Sequence, residues 1–580
     1  MSKKFTADFE TTVDENDCRV WAYAICEIGN IDNFIYGNSI DEFIKFCMNK
    51  RENYILYFHN LKFDGEFIFN YLLNNDYTYI KDKKDRKDKT FTTLISDMGQ
   101  FYSIEIYFEI KNSKHINKVT IYDSLKILNF SVEQIAKDFS LPIRKLELDY
   151  KAKREIGHIL TEHEIDYIRN DVEIMARALD IMFKENLTKM TIGSDALHSY
   201  KKMISSFEKY FPILPFEYDT EIRKSYKGGF TYLNPIYKEK LVNEDIIVID
   251  SNSMHPSHMM NDYMPVGIPE YFKGEYVDDI THPLFIITLS CSFKIKKGKI
   301  PSIQLKHTMG YQENEYVETT KGEIVTFTLT SVDLKLFKEQ YEIENLVYHG
   351  GYKFRRLKGL FTEYINYWIN QKTEAKKNNN TALYRIAKLM LNSLYGKFGL
   401  NPIVQGKYPY LNEEKIVKYK LNDKEIRDSI YCPVASFITA YSRYDIITNS
   451  QKIRDYSLKI YGRDYYIYSD TDSIHCLKLS DEELQKIVNI DDYILGYYKV
   501  ESTAKRGFYI RQKCYIEEGY DNKLNTTIAG LPKKLGKYVT FDNFKKGFSV
   551  LASDKDKEHK LTFKHVRGGV ILADTDFSIK

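Results

Sequence analysis

What the 580-residue chain lacks excludes several classes of protein. Its seven cysteines are scattered without a C-x-x-C pair, which argues against a zinc knuckle and against a disulfide framework. No signal peptide opens the chain, and no apolar run reaches the length of about 18 residues that a membrane-spanning helix needs. We therefore expect a soluble, cytosolic protein that has no contact with a membrane.

A large net charge of either sign is also missing. The chain has 84 Lys and Arg against 81 Asp and Glu, so its net charge of +3 says little about its partners. Basic residues dominate only locally, in residues 352–398 and again in residues 533–580. Either patch could face a polyanion, although a solvated lysine-rich face is the commoner cause of such a patch.

What the chain does have is carboxylates at the ends of apolar segments. In YYIYSDTDSIHCL, residues 465–477, Asp470 and Asp472 stand at the tip of an aromatic, apolar run. In an extended segment, residues two apart share a face, so these acids would converge and repel by roughly 4 kcal/mol. The pattern predicts a nearby cation, or alternatively a polar hairpin turn.

Another acid follows a second apolar strand. In EDIIVIDSNSMHP the run from Ile246 to Ile249 predicts a buried strand, and Asp250 comes directly after it. If the two strands are neighbours, Asp250 and Asp472 could hold two metal ions between them. That arrangement suits the attack of a 3′-hydroxyl on an incoming nucleoside triphosphate.

Between these two segments, NTALYRIAKLMLNSLYGKFG predicts an amphipathic helix. Its apolar side carries Leu383, Ile386, Met390 and Leu394. Its polar stripe, spaced i, i+3, i+7 and i+10, consists of Arg385, Lys388, Asn392 and Tyr395. Arg385 and Lys388 could bind triphosphate oxygens and Tyr395 could stack on a base, whereas the alternative is a merely solvated face.

The N-terminal 190 residues contain a separate set of acids. Asp8 and Glu10 share one face of a short strand, and Asp64 begins an apolar helix after another strand. The third segment is a helix that opens with the capping box TEHE and places Tyr167 and Asp171 on one side. Two Mg²⁺ ions would neutralise four converging acids and activate a water for phosphodiester hydrolysis, with Tyr167 orienting that water. Alternatively, each acid is only a helix cap or a surface group.

Taken in order, these motifs resemble those of a known family. DFE, HNLKFDG and YIRND resemble the three exonuclease motifs of proofreading DNA polymerases. The stretches at 250–253, 388–396 and 468–473 resemble the three polymerase motifs of family B. YKGGF, TAYSR and KCY add to a likeness that is closest to the protein-primed, phi29-type phage polymerases and runs from residue 5 to residue 580.

The resemblance implies a multidomain α+β and α/β fold. An RNase H-like 3′–5′ exonuclease domain would precede a right-hand polymerase of palm, fingers and thumb with two inserted subdomains. The implied bounds are exonuclease 1–190, palm 191–261 and 431–532, first insertion 262–360, fingers 361–398, second insertion (a β-hairpin) 399–430 and thumb 533–580. By analogy, the first insertion meets a terminal protein and the second closes over DNA for processive, strand-displacing synthesis.

The resemblance also implies roles for individual residues. Two Mg²⁺ per active site, replaceable by Mn²⁺, are expected on Asp250, Ser251 and Asp472 for synthesis, and on Asp8, Glu10, Asp64 and Asp171 for the exonuclease. Asp470 would support the first set, and Lys145 and Tyr167 would assist the second. Residues expected to contact the incoming dNTP are His255, Lys372, Arg385, Lys388, Asn392 and Tyr395.

Two sets of DNA contacts follow from the same likeness. Residues expected to hold the frayed 3′ end are Thr11, Tyr57, His59, Asn60, Phe63, Phe67, Ser124 and Leu125. Residues expected to contact the primer-template are Tyr226, Gly228, Gly229, Ser253, Thr439, Arg443, Lys513 and Tyr515.

Two positions depart from the family pattern. His255 stands where the family usually has a tyrosine beneath the incoming sugar, so we expect weaker rejection of ribonucleotides. Extra length around KKNNN, residues 376–380, leaves the assignment of Lys372 open.

The implied function is replication of a linear phage genome in the cytoplasm of a bacterial host. The polymerase would be a monomer that uses a DNA primer-template and dNTPs and pairs with a terminal protein at initiation. One alternative is a family B polymerase that starts only from nucleic-acid primers. Another is a non-catalytic DNA-binding replication protein, which the two intact sets of acids disfavour.

Overall fold

A mixed eight-stranded sheet organises the N-terminal part of the chain. The computed structural model describes residues 2–48, 52–109, 116–305, 316–554 and 556–580. The first strands are β1 (Lys3–Thr11), β2 (Val20–Glu27), β3 (Asn30–Gly37), β4 (Tyr54–Phe58), β5 (Thr78–Tyr79), β6 (Thr90–Ile95), β7 (Phe101–Glu109) and β8 (Ile116–Asp123). The helices of this part are α1 (Ile40–Met48), α2 (Leu61–Asn74), α3 (Val132–Asp138) and α4 (Glu162–Lys184). The strand order is β3-β2-β1-β4-β8-β7-β6-β5, with β1, β4 and β8 parallel.

Helix α4 forms as its sequence predicts. Thr161 accepts a hydrogen bond from the backbone N–H of Glu164, and the Glu164 side chain accepts one from the backbone of Thr161. This confirms the predicted capping box, which satisfies two N–H groups that the helix itself leaves free. The helix then buries its apolar stripe, including Ile168, Val172 and Leu179, against β1 and β2.

The next residues form the first strands of a central sheet and then a separate four-stranded sheet, which is inserted before the remaining strands of the central sheet. The next elements are α5 (Ile192–Met203), α6 (Phe207–Tyr210), α7 (Phe216–Arg223), β9 (Thr231–Leu233), β10 (Leu241–Val242), β11 (Ile246–Ser251) and α8 (Met254–Asn261). The inserted sheet consists of β12 (Met264–Lys273), β13 (Leu284–Ile295), β14 (Val325–Thr330) and β15 (Tyr341–Leu357), in the order β12-β15-β13-β14. Helix α9 (Ser331–Gln340) interrupts this strand-rich region, because Thr330 caps it by accepting from the Asp333 N–H.

Two long helices and a β-hairpin follow. Helices α10 (Thr362–Lys377) and α11 (Thr381–Phe398) pack against each other. The hairpin region has strands β16 (Ile403–Val404), β17 (Lys407–Leu411), β18 (Val417–Leu421) and β19 (Glu425–Ile426), with β17 paired to β18 and β16 to β19. This confirms both the amphipathic helix, which buries Ile386, Met390 and Leu394, and the hairpin.

The last part completes the central sheet and adds small sheets at the C-terminus. Its elements are α12 (Cys432–Tyr461), β20 (Tyr466–Asp470), β21 (Ser473–Leu477), α13 (Asp481–Ile487), β22 (Tyr498–Ala504), β23 (Arg506–Arg511), β24 (Cys514–Glu518), β25 (Leu524–Ile528), β26 (Ser549–Val550), β27 (Lys560–Val566), β28 (Gly569–Thr575) and β29 (Phe577–Ser578). The central sheet has the order β22-β11-β21-β20-β9. Among the described residues, none of the helices combines the length and apolar character needed to span a membrane.

Candidate active sites

Asp250 and Asp472 meet at one edge of the central sheet. Strand β11 pairs antiparallel with β21, which places Asp250 opposite Ser473. The backbone N–H of Ser251 donates to the carbonyl of Asp472 at 2.8 Å. The turn that carries Asp472 therefore lies beside the end of β11, which meets the condition under which Asp250 and Asp472 could share metal ions, although β21 separates β20 from β11. We call Asp250, Asp470 and Asp472 the central cluster.

The tip that carries Asp470 and Asp472 is a turn, so the prediction from extended geometry is wrong. Asp470 ends β20, Thr471 has a positive φ of 62°, and the Asp472 N–H donates back to the Asp470 carbonyl at 2.7 Å. The two acids therefore do not share a strand face. The polar hairpin turn that sequence left as the alternative is present, and it carries the carboxylates as well.

The predicted cation beside Asp470 is Lys513. Its ammonium lies 2.5 and 2.6 Å from the two oxygens of Asp470. The Tyr468 hydroxyl also donates to Asp470 at 3.2 Å. Asp470 is thus already neutralised, which leaves Asp250 and Asp472 as the carboxylates free to bind a further cation.

The electrostatics of that pair favour a cation. Burial, with the neighbouring Asp472 charge, raises the pKa of Asp250 to about 7. Burial also raises the pKa of Asp472, and the Asp470 charge adds to the effect. Lys499, which sequence reasoning missed, forms an ion pair with Asp250 at 3.8 Å. Half-buried carboxylates that repel each other are the oxygen ligands that Mg²⁺ binds, so the residues fit such an ion. Ser251 is buried, and its role as a ligand stays a prediction.

His255 and Tyr395 form a flat stack beside the cluster. Their ring centroids are 4.2 Å apart with planes 4° from parallel. Burial, with some help from His258, lowers the pKa of His255 to about 4, so the imidazole is neutral at pH 7. Burial and the Asp472 charge raise the pKa of Tyr395, which places its hydroxyl near that acid. The stack joins α8 to α11 and forms one wall of the site.

The side chains of the polar stripe on α11 do not all face the same part of the molecule. Lys388 and Asn392 are exposed on the helix. The Lys388 and Lys499 charges contribute to lowering the pKa of Lys372, after burial, so these three lysines lie close together. Arg385 instead pairs with Asp138 of α3, with Nε 3.0 Å from Oδ2. Its contact with a triphosphate stays a prediction, and it would require release from Asp138.

The loop YKGGF lies directly against the acid-bearing turn. A Cβ at Gly229 would stand 2.8 Å from Thr471, so only glycine fits there without displacing the turn. Arg443 fixes this loop, because its Nη1 donates to the carbonyls of Lys227 and Gly228 at 2.9 and 2.8 Å. Asp333 of α9, another residue that sequence reasoning missed, accepts from Arg443 Nη2 at 2.8 Å.

The structure places several predicted primer-template contacts in supporting positions. Arg443 is buried by its partners, and the Thr439 hydroxyl donates to the Ala435 carbonyl of its own helix at 3.1 Å. Tyr515 packs on Tyr468, with ring centroids 5.2 Å apart. Tyr226 packs closely beside Gly399, nothing lies within 4 Å of a Cβ built on Gly228, and Ser253 stands before α8 with a φ of 51°. Direct contact of these residues with DNA stays a prediction.

A second set of acids meets on the N-terminal sheet. Ligand oxygens of Asp8, Glu10 and Asp171 lie within 4.8 Å of one another, although the residues come from β1 and α4. Asp64 stands in the first turn of α2, as predicted. One buried oxygen of Asp64 and one of Asp171 have no hydrogen-bond partner within the part of the chain that the structure describes. We call these four residues the N-terminal cluster.

Each acid of the N-terminal cluster has a raised pKa, and the charges of its neighbours contribute to the shift. Burial, with the Asp171 charge, raises the pKa of Asp8 to about 7. Burial is also the main cause that raises the pKa of Glu10 and Asp64 well above their usual ranges, and nearby acids add to it. Burial raises the pKa of Asp171 even though Lys145 forms an ion pair with it. Orphaned oxygens on crowded carboxylates fit divalent metal ions.

Tyr167 has a partner that sequence reasoning missed. Its hydroxyl lies 2.6 Å from that of Tyr150, which is half exposed at the mouth of the site. Burial, followed by the charges of Glu10 and Asp171, raises the pKa of Tyr167 far above its usual range. Tyr167 therefore stays protonated and orients its surroundings as a hydrogen-bond donor.

Among the residues predicted to hold a frayed 3′ end, His59 lies beside this cluster, close to Lys145 and Asp171. His59 lies between the Ser124 hydroxyl, at 3.0 Å, and the Phe130 carbonyl, at 2.7 Å. Asp123, which sequence reasoning missed, accepts from the backbone N–H groups of both Asn60 and Leu125 at 3.0 Å.

The residues predicted to hold the frayed 3′ end differ in their exposure to solvent. Thr11, Tyr57, Phe67 and Ser124 are buried, whereas His59, Asn60, Phe63 and Leu125 are partly exposed. Only the second group presents surface to a strand without rearrangement, and the contacts of both groups stay predictions.

Two acid clusters on two sheets, one of them close to Lys372 of α10 and Lys388 of α11, fit a nucleic-acid polymerase that has a second cluster of potential metal ligands. The model of the family "DNA polymerase type B, organellar and viral" matches residues 46–489. The chain belongs to this family and is a DNA polymerase. It is 44% identical to the DNA polymerase of Bacillus phage B103 over the whole of both chains. It is 42% identical to that of Bacillus phage phi29, covering 100% of this chain and 99% of the relative.

Solved structures agree with the sequence matches. The fold is similar to that of phi29 DNA polymerase complexed with primer-template DNA and incoming nucleotide substrates, with a TM-score of 0.91, 41% identity and both chains fully covered. It is also similar to the same polymerase complexed with single-stranded DNA, with a TM-score of 0.89, 40% identity and full coverage of both chains. These matches confirm the predicted multidomain architecture of an exonuclease-type domain followed by palm, fingers and thumb.

Proposed function

We propose that this polymerase carries out synthesis at the central cluster and 3′–5′ proofreading at the N-terminal cluster. The observation that carries the proposal is the pairing of two independent carboxylate sets, each with a pKa raised to about 7 on one acid. Such sets are costly to hold together unless cations bind them. The proposed division is exonuclease 1–190, palm 191–261 and 431–532, fingers 361–398 and thumb 533–580.

The proposed substrates are primer-template DNA and dNTPs. The support is the likeness to phi29 DNA polymerase, which has been solved with primer-template DNA and incoming nucleotides. Lys372, Lys388 and Lys499 surround the approach to Asp250 with positive charge. Cations fixed in this way attract the triphosphate and offset charge that develops as its bond breaks.

At the central cluster, Asp250 and Asp472 would hold Mg²⁺, or Mn²⁺ in its place. Ions held there would lower the pKa of the primer 3′-hydroxyl and would offset the charge of the leaving pyrophosphate. The protein's own part is positional. Lys513 holds Asp470, the turn holds Asp472, and the stacked rings of His255 and Tyr395 form a wall against which the nucleotide is oriented.

At the N-terminal cluster, Asp8, Glu10, Asp64 and Asp171 would hold the metal ions that activate water for hydrolysis. Tyr167, kept protonated, would donate a hydrogen bond to that water. Partly exposed rings and amides beside the cluster, such as Phe63 and Asn60, would hold the unpaired 3′ end by stacking and hydrogen bonding.

We propose that initiation uses a terminal protein, with which the monomeric polymerase pairs, and that it replicates a linear phage genome in the host cytoplasm. The support is the identity to phage polymerases over the full chain and the inserted sheet at 262–360, which stands where the family resemblance implies the first insertion. The second insertion would close over DNA and favour strand displacement.

Proofreading is tested with a labelled primer that ends in a mismatch. The wild type should remove the mismatched nucleotide before it extends the primer. The double variant Asp8→Ala, Glu10→Ala should leave the mismatch in place and extend it slowly. If the double variant still shortened the primer, the N-terminal cluster would not be the nuclease.

Protein priming is tested with [α-³²P]dATP, Mg²⁺ and purified candidate proteins from the same genome. A terminal protein should acquire a label that survives boiling in detergent and is lost on protease digestion. Label that appears only on oligonucleotide primers would favour a polymerase primed by nucleic acid alone.

A further inference from the structure

A buried glutamate joins three distant parts of the chain. Glu66 lies on α2, two residues after Asp64, and only 1% of it is exposed. The Tyr419 hydroxyl, from β18, donates to Glu66 Oε1 at 2.7 Å. His565, from β27, places Nε2 3.1 Å from the same oxygen. One carboxylate of the N-terminal domain therefore meets both the internal β17–β18 hairpin and the C-terminal β27–β28 hairpin.

The surroundings of this contact are tightly packed. Tyr419 lies among aromatic rings, with centroids 6.4 Å from Phe69, 6.0 Å from Phe101 and 6.2 Å from His565. Nearby, a Cβ on Gly569 would stand 2.4 Å from the Phe67 ring, so the backbone of the C-terminal hairpin runs directly over α2. Val417, Val566 and Val570 share one hydrophobic core with the N-terminal sheet.

A carboxylate is a costly residue for such a position. The second oxygen of Glu66, Oε2, is buried without a hydrogen-bond partner in the described part of the chain. An apolar side chain of similar size would avoid the desolvation penalty. The acid does provide a directional attachment, because it accepts a hydrogen bond from the Tyr419 hydroxyl, which a hydrophobic contact cannot do. His565 Nε2 lies 3.1 Å from the same oxygen as a charge-facing contact only, since this nitrogen has no hydrogen-bond partner among the described residues.

The two hairpins need such an attachment. Each is a two-stranded sheet, and isolated two-stranded sheets are marginally stable in water. Further contacts point the same way, since Lys564 pairs with Glu15 at 2.5 Å, and the rings of Phe63 and Phe563 are 5.8 Å apart. The two hairpins are therefore anchored on the same domain, and at Glu66 on the same oxygen.

We propose that Glu66 is a positioning residue that locks the two hairpins onto the N-terminal domain, and thereby determines how long the polymerase stays on DNA. This rests on the proposed function, in which the hairpin insertion and the thumb close over the duplex. Opening of the joint would release DNA between additions. The rate of each addition depends on the central cluster, which Glu66 does not contact.

The test uses Tyr419→Phe, which removes only the hydroxyl, and Glu66→Gln, which keeps an acceptor for Tyr419 but loses the charge facing His565. Tyr410→Phe is the matched control, since Tyr410 lies on the same hairpin with its ring against Lys420. Product length is measured on a singly primed circle with a heparin trap, alongside single-nucleotide insertion and the thermal midpoint of unfolding. Tyr419→Phe should shorten products about threefold to tenfold, the factor that one buried hydrogen bond is worth.

The measurements distinguish a failure of the positioning role of Glu66 from a failure of the proposed processive function. Shortened products with insertion rates and thermal midpoints near those of the wild type and of Tyr410→Phe support the proposal. Product lengths equal to the wild type, or insertion rates that fall in proportion to product length, overturn it. A wild-type enzyme that releases DNA after a few nucleotides under the trap would instead overturn the proposed processive function, and the positioning role with it.

Discussion

Arg385 of α11 and Asp138 of α3 join the polymerase helix to the N-terminal domain. Arg385 Nη2 donates to Asp138 Oδ1 at 3.1 Å, and Nε lies 3.0 Å from Oδ2. A second contact lies alongside, since the hydroxyls of Ser140 and Thr381 are 2.9 Å apart. The arginine expected to bind the triphosphate is thus held by Asp138 of the N-terminal domain, and it could reach a triphosphate only after release from that acid.

Release of Arg385 should strengthen nucleotide binding. Asp138→Asn removes the charge that holds the guanidinium, so we expect the KM for dNTPs to fall about twofold to fivefold, as the loss of a partly exposed ion pair implies. The KM for dNTPs is measured by steady-state incorporation on a fixed primer-template. Glu133→Gln, an exposed acid on the same helix, is the control and should change nothing. An unchanged or higher KM in Asp138→Asn would mean that Arg385 does not serve the triphosphate.

His255 should determine discrimination between sugars. Its neutral ring stacks on Tyr395, and a tyrosine at this position would extend further into the space beneath the sugar. We expect His255→Tyr to reduce incorporation of ribonucleotides relative to deoxyribonucleotides by about tenfold, equivalent to about 1.4 kcal/mol. Competing rNTP and dNTP insertion opposite one template base measures the ratio. The prediction is wrong if the ratio in His255→Tyr equals that of the wild type.

The N-terminal cluster should destabilise the metal-free protein at alkaline pH. The pKa of Asp8 rises from 3.8 to about 7 in the folded state, because burial and Asp171 oppose ionisation. Its stabilising contribution is therefore complete below pH 3.8 and is lost as the pH rises through about 7. At pH 8, Asp8→Asn should raise the metal-free thermal midpoint by a few degrees and reduce the gain on adding Mg²⁺.

The same scan at pH 5 provides an internal control, because wild-type Asp8 is then mostly protonated and the variant should differ less. Asp14→Asn, an exposed acid close by in sequence, controls for charge alone. Equal Mg²⁺ gains in wild type and Asp8→Asn would contradict metal binding at this cluster.

Lys513 should set the acid limit of synthesis. Its charge neutralises Asp470 and lowers the pKa of Asp472 against burial. In Lys513→Gln the pKa of Asp472 rises further, so the ionised form that binds metal is lost at a higher pH. The acidic limb of the pH profile for synthesis should therefore move to higher pH, while primer degradation keeps its profile. Lys523→Gln, on an exposed turn nearby, is the control, and parallel shifts in both activities would contradict the prediction.

Much of both sites could be predicted from sequence because their signals are local. The capping box of α4 follows from its T-x-x-E pattern, the strand before Asp250 from a continuous apolar run, and the stripe on α11 from side-chain periodicity. That the acids of each site come together in space was predicted only from the order of the motifs, which resembles that of a known family. The turn at Thr471 remained one of two alternatives, because D-x-D occurs in strands and turns alike.

What could not be predicted depends on tertiary packing. Arg385 pairs with Asp138, 247 residues away, and Tyr419 with Glu66, 353 residues away. No local pattern marks either acid, since Glu66 looks like an ordinary helix residue two positions after Asp64. Helix α9 was missed because the strands around it dominate its region, although its Thr330 cap is a local signal.

Two separate metal centres with different tasks are proposed for this chain, and primer extension on a primed single-stranded circle with Mg²⁺ tests this division most directly. Asp472→Ala should stop synthesis yet still degrade the primer, whereas the Asp8→Ala, Glu10→Ala double variant should extend without degradation. Loss of both activities in either variant, or neither activity in the intact chain, would contradict the account.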